Sequence, residues 1–146
     1  MPIRPPEFDE VAVRLAPLLK NLPKKLVAID GRMGAGKTTL GRFLAWYFNI
    51  TLVETDPFLL GDGTLQRHTD EIDRIVGFRL DQDRPVLVEG VGILDLLKQI
   101  GCKADVRVYV VNTSNAVKPN AAILEYERRS PMYVQHDIVM SLAHEG

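Results

Sequence analysis

Gly31-Arg32-Met33-Gly34-Ala35-Gly36-Lys37-Thr38 satisfies every fixed position of the pattern G-x-x-x-x-G-K-[ST]. Each fixed residue answers a physical need. Glycines and a small alanine let the backbone curl until several N–H groups converge on one anion. A lysine at position 37 places a positive charge on the β- and γ-phosphates of a nucleotide, and a threonine at 38 offers a hydroxyl to Mg²⁺. A helix that starts here adds its positive end to the same anion. The flanks agree. Leu26-Val27-Ala28-Ile29 is an apolar run that reads as a buried strand ending at Asp30, and Thr38 to Phe48 carries Leu40, Phe43, Leu44 and Tyr47 on one helical face. The stretch from Gly31 to Thr39 is therefore read as the phosphate-binding segment, with a nucleoside triphosphate and Mg²⁺ the expected ligands.

Outward from the loop, strands and helices alternate. Thr51-Leu52-Val53-Glu54-Thr55 reads as a second strand closed by Asp56-Pro57, and Leu60 to Thr64, with two glycines, as a loop. Thr69 to Leu80 reads as a helix with Ile72, Ile75, Val76 and Leu80 inward; Thr69 can cap it, and Asp70, Glu71 and Asp73 suit its positive end. Val86-Leu87-Val88-Glu89 is a third strand, Ile93 to Ile100 a short helix stopped by Gly101, Val106 to Val111 a fourth strand, and Ala121 to Arg129 a helix ending before Pro131. Asp137 to Leu142 fits a strand or a helix. Upstream, Phe8, Val11, Leu15, Leu18 and Leu19 recur at helical spacing, which predicts a helix from about 7 to 20 with Pro17 its weak point. Alternation of this kind predicts a parallel sheet covered on both faces, a three-layer α/β/α fold.

The bulk numbers set bounds. A chain of 146 residues with 46% hydrophobic residues suits a single domain spanning 1–146. A net charge of −1, with Lys and Arg scattered, points to no nucleic-acid partner. No run approaches the roughly 18 apolar residues that span a bilayer, and no signal-type run follows Met1-Pro2-Ile3-Arg4-Pro5-Pro6, so no membrane is expected and a cytoplasmic location is. The one cysteine, Cys102, excludes an internal disulfide and a cysteine-rich zinc site. His68, His136 and His144 lack metal spacing.

Ligands on parallel sheets sit beyond the carboxyl ends of the strands, and three acids fall there. Asp30 admits a structural or a catalytic role. Asp56 stands where a phosphotransferase needs a base to take the proton of an attacking hydroxyl; as a residue before proline it also suits a turn. Glu89 closes an apolar strand in the manner of a segment that holds Mg²⁺, directly or through water; the alternative is a solvated strand-end acid. Gly90 behind it permits close backbone approach to a ligand. Arg128 and Arg129 close a late helix, where they either swing over the phosphates or rest in solvent. Arg32, inside the loop, is expected in solvent or on substrate.

With these residues in place, the sequence resembles the P-loop kinases of small molecules, the uridine kinase-like proteins most closely. The likeness rests on Leu26-Val27-Ala28-Ile29-Asp30-Gly31 running into Gly34-Ala35-Gly36-Lys37-Thr38-Thr39-Leu40, on Asp56-Pro57-Phe58, on Val86-Leu87-Val88-Glu89-Gly90-Val91 and on Ala104-Asp105-Val106-Arg107-Val108-Tyr109-Val110. It implies strand order 2-3-1-4-5, ATP with Mg²⁺ at Thr38 and Glu89, Lys37 and Asp56 as catalytic residues, and lid arginines at Arg128 and Arg129. The implied activity is ATP-dependent transfer to a hydroxyl of a small molecule such as a nucleoside or sugar-like metabolite. The lid's arginine-rich run is reduced here to Arg128-Arg129 before Pro131, which motivates a second reading, an ATP-binding regulatory or interaction protein without transfer. No D-x-x-G or Asn-Lys-x-Asp stands in the chain for a GTPase, and no Leu-Ser-Gly-Gly-Gln for an ABC motor.

Overall fold

The computed structural model describes residues 5–130 and 137–143; His136, His144, Pro131 and the first four residues lie outside them. In chain order the elements are α1 (Pro6–Leu15), β1 (Leu26–Gly31), α2 (Lys37–Phe48), β2 (Thr51–Glu54), α3 (Asp70–Asp81), β3 (Val86–Glu89), α4 (Ile93–Gln99), β4 (Val106–Asn112), α5 (Ala121–Arg129) and β5 (Ile138–Leu142). The open question about 137–142 resolves as a strand. The sheet is parallel throughout, in the order β2-β3-β1-β4-β5.

The short apolar strands are apolar because both faces are covered. Along β1, Val27 and Ile29 face one way and join Leu87, Val108 and Val110 against Phe8, Val11 and Leu15 of α1 and Leu40 and Leu44 of α2. Leu26 and Ala28 face the other way with Val86 and Val88, against Ile72 and Val76 of α3 and Ile93, Leu96 and Leu97 of α4. Each fully buried Val, Leu or Ile contributes roughly 1.5–3 kcal/mol relative to exposure. The alternation also fixes register, since a one-residue slip would exchange the two cores.

Three local expectations need correction. The first helix stops at Leu15 instead of reaching about residue 20: Pro17 has no N–H to give, and the amides of Leu18 and Leu19 both turn back to the Leu15 carbonyl, at 2.9 and 3.0 Å. Leu19 stays buried while Leu18 is exposed. Thr69 sits at the cap position of α3, but its backbone is already helical and its hydroxyl makes no cap bond. Tyr47 is 51% exposed, because the buried arc of α2 is Lys37, Leu40, Gly41 and Leu44; its ring packs on Phe43 and Phe48 instead. Among the described residues, no helix is long and apolar enough to cross a membrane.

Candidate active site

Because all strands run the same way, the ends of β1, β2 and β3 deliver Asp30, Asp56 and Glu89 to one edge of the sheet, around the start of α2. The register places Glu89 beside both Ile29 and Glu54. The phosphate loop turns out of β1 through Gly31, whose φ of +155° and 2.6 Å gap from a built Cβ to the Val110 carbonyl leave no room for a side chain. Gly34, at φ +78°, is as tightly held: a Cβ would come within 2.9 Å of Asn115 Oδ1. Asn115 also donates to the Met33 carbonyl at 2.8 Å, so the stretch after β4 straps the loop from outside.

Lys37 is buried, and its ammonium donates to the Arg32 carbonyl at 2.9 Å, across the bowl of the loop. Burial lowers its pKa, opposed by the charges of Asp56, Glu89 and Asp30. Thr38 donates its hydroxyl to Glu89 Oε1 at 3.1 Å. The other oxygen, Glu89 Oε2, is buried and has no hydrogen-bond partner. Burial is the main cause of the raised Glu89 pKa, with the like charge of Asp56 behind it; Lys37 and the Thr38 bond act against both. A buried anionic oxygen without a donor beside a threonine hydroxyl is the oxygen-donor chemistry a hard divalent cation takes. Among the described residues, no group of three or more His, Cys, Asp or Glu side chains could hold a metal by itself. Magnesium suits that poverty, since it is commonly held by one or two protein oxygens and completed by phosphate and water. Thr39 lies exposed on the first turn of α2.

Asp56 opens a 3₁₀ turn, Asp56–Phe58. Its Oδ1 accepts from the Val91 amide at 2.9 Å and from Arg67 Nη2 at 3.1 Å, and its side chain keeps 29% exposure. The space a side chain at Gly90 would need is filled from within, by Thr55 Oγ1 at 2.0 Å, Arg67 Nη2 at 2.9 Å and Asp56 Oδ1 at 3.1 Å from a built Cβ.

Asp30 is a fastener. Its Oδ1 accepts from the Gly31 amide at 2.9 Å and its Oδ2 from the Tyr126 hydroxyl at 2.6 Å. Burial, then the Asp30 charge, push the Tyr126 phenol strongly upward, so it stays a neutral donor. Arg32 is not simply in solvent: it makes a two-bond pair with Glu127 of α5, at 2.7 and 2.9 Å. Between the loop, β4 and α5 lies a cleft of about 460 Å³, lined by Arg32, Tyr109, Asn112, Asn115, Tyr126 and Glu127 among others. Burial and the adjacent Glu127 push the Tyr109 hydroxyl up to about 12.

The structure does not bring Arg128 and Arg129 to the loop. Arg128 pairs with Glu125 at 2.6 Å on its own helix, and Arg129 with Asp95 of α4 at 2.9 Å. Carboxylates placed a turn earlier on α5 and at the facing end of α4 claim both guanidinium groups. Conversely, Arg67, Tyr126 and Asn115 had no visible sequence signal: Arg67 follows a loop of no period, Tyr126 sits in the apolar stripe of a helix, and Asn115 looks like any turn residue.

No protein-family model and no curated protein matches the chain. Solved structures do. A possible uridine kinase from Bacillus stearothermophilus superposes with a TM-score of 0.62 at 14% identity, over 92% of this chain and 97% of that one. A sugar kinase from Janibacter sp. superposes with a TM-score of 0.53 at 17% identity, over 84% of this chain and 88% of that one. At such identities the likeness establishes the fold, which is that of the P-loop kinases, with the strand order 2-3-1-4-5 expected from the sequence.

Proposed function

We propose that the protein is an ATP-dependent phosphotransferase acting on a hydroxyl of a small molecule. The observation that carries the reading is the convergence of Lys37, the Thr38–Glu89 pair and Asp56 at the carboxyl edge of the sheet, around a closed phosphate loop. The loop amides and Lys37 bind the phosphates of ATP, and the cleft beside α5 takes the remainder of the nucleotide. Thr38 and Glu89 hold Mg²⁺, which supplies charge neutralisation at the phosphates. Asp56 accepts the proton of the acceptor hydroxyl while the acceptor's oxygen bonds to the γ-phosphorus and the bond from that phosphorus to the leaving ADP breaks. Phosphoryl transfer depends mainly on positioning and charge, so these few groups suffice.

Calorimetric titration of Mg-ATP into wild type and Lys37→Ala tests the nucleotide site. Binding by wild type that is strongly weakened in the variant is expected; no binding by wild type overturns the proposal. Asp56→Asn should then abolish transfer to a screened panel of nucleosides and sugars while leaving Mg-ATP affinity nearly intact. Full activity in that variant removes Asp56 from its role.

A second reading is favoured by the ion pairs that hold Arg128 and Arg129 away from the loop. It makes the chain an ATP-binding regulatory or interaction protein without transfer. A phosphorylated product at useful turnover excludes it; an ATP-dependent binding partner with no product from any acceptor supports it.

A further inference from the structure

We infer that Arg67 is a positioning residue for Asp56, acting through that carboxylate and touching no reactant. The inference rests on the reading of Asp56 as proton acceptor. Arginine is almost never fully buried unless paired, and the Arg67 side chain has no exposure at all. Its planar fork is occupied in four directions. Nε donates to the Thr55 carbonyl at 3.2 Å, Nη1 to the Leu65 carbonyl at 3.1 Å, and Nη2 to both Asp56 Oδ1, at 3.1 Å, and the Val91 carbonyl.

These acceptors come from three separate stretches: the turn after β2, the segment after β3, and the chain just before Arg67, where Leu59 and Arg67 form an antiparallel bridge. One side chain thus locks the two strand ends that carry Asp56 and Glu89 to each other. It also sorts the oxygens of Asp56. Oδ1 is taken by Arg67 and the Val91 amide, and among the described residues nothing bonds to Oδ2, which is left to receive a proton. Without Arg67, a single amide would hold the carboxylate near the like charge of Glu89. A rigid fork fixes direction in a way a lysine ammonium cannot, and a misplacement of about 1 Å can cost roughly a hundredfold in rate.

The test uses the full chain, with Mg-ATP as the probe and water as the acceptor, so that no unidentified substrate is needed. Arg67→Met is expected to lower kcat for ATP hydrolysis about a hundredfold while the calorimetric Kd for Mg-ATP stays within about twofold; Arg67→Lys should recover part of the loss. Neither variant should lower the residual rate further in an Asp56→Asn background, because non-additivity marks residues that act as a unit. Additive losses, or wild-type kcat in Arg67→Lys, overturn the inference. Should Arg67→Met fail to fold, Arg67→Lys carries the cycle. Wild type that binds Mg-ATP and passes no phosphoryl group to water shows only that water is no acceptor, which leaves the transfer proposed above to its own acceptor panel. The same cycle read by urea unfolding then decides separately: coupling keeps Arg67 as the holder of Asp56, and strict additivity removes it.

Discussion

The hydroxyl of Tyr126, on α5, donates to Oδ2 of Asp30, the last side chain of β1 before the phosphate loop, at 2.6 Å. This bond joins the helix that flanks the cleft to the strand that feeds the loop. Tyr126→Phe keeps the ring packing and removes the donor from a buried carboxylate. It should destabilise the protein by about 1–3 kcal/mol, seen as a lower urea midpoint with the slope unchanged. An unchanged midpoint would show that the contact contributes nothing.

Glycines offer a paired comparison. At Gly90 a Cβ would lie 2.0 Å from Thr55 Oγ1, which itself donates to the Glu89 carbonyl at 2.8 Å. Gly90→Ala must push Thr55 off that bond and crowd Arg67, a loss of about 1–3 kcal/mol, with transfer impaired along with it. At Gly77, inside α3, a Cβ meets nothing within 4 Å. Gly77→Ala should stabilise by roughly 0.5–1 kcal/mol through helix propensity alone. Thermal melts of both variants check the signs; equal shifts in one direction would refute the packing argument.

Much of this site was legible because its parts are local. The phosphate loop is contiguous, and the acids at 30, 56 and 89 each follow an apolar run, so parallel alternation was enough to bring them to one edge. Arg67 was not legible, because its role exists only where the ends of β2 and β3 come together, and nothing at residues 65–68 announces a buried cation. At Gly90 the sequence shows that a close approach is permitted, and the packed fold adds that Thr55 and Arg67 press against it. Arg128 and Arg129 looked available until Glu125 and Asp95 were seen to claim them.

Arg32 and Glu127 make a well-formed pair whose side chains remain 44% and 24% exposed. At that exposure the pair contributes under about 1 kcal/mol. Arg32→Ala should leave the melting temperature nearly unchanged and make the protein less sensitive to added salt. A loss of several degrees would mean that the pair is far better shielded than its exposure indicates.

Under the proposed function Glu89 would link Mg²⁺ binding to stability, and the sign follows from its raised pKa. Burial is the principal cause, with Asp56 adding to it. A carboxyl whose pKa is higher folded than unfolded binds its proton more tightly in the native state. The Glu89 contribution to metal-free stability is therefore greatest below the ordinary carboxylate range and is lost as pH rises through the folded value. Glu89→Gln removes the buried charge and keeps an oxygen for the Thr38 hydroxyl, so the metal-free variant should exceed wild type in stability at neutral pH and lose that advantage in acid. Mg²⁺ requires the ionised form and should reverse the order, stabilising wild type increasingly as pH rises from the ordinary carboxylate range through the raised folded value, while leaving the variant unmoved. Urea midpoints with and without MgCl₂ across that range measure both effects. Equal stabilisation of the two proteins by Mg²⁺ would place the metal elsewhere, and a variant less stable than wild type at neutral pH without metal would show that the buried carboxylate carries no penalty.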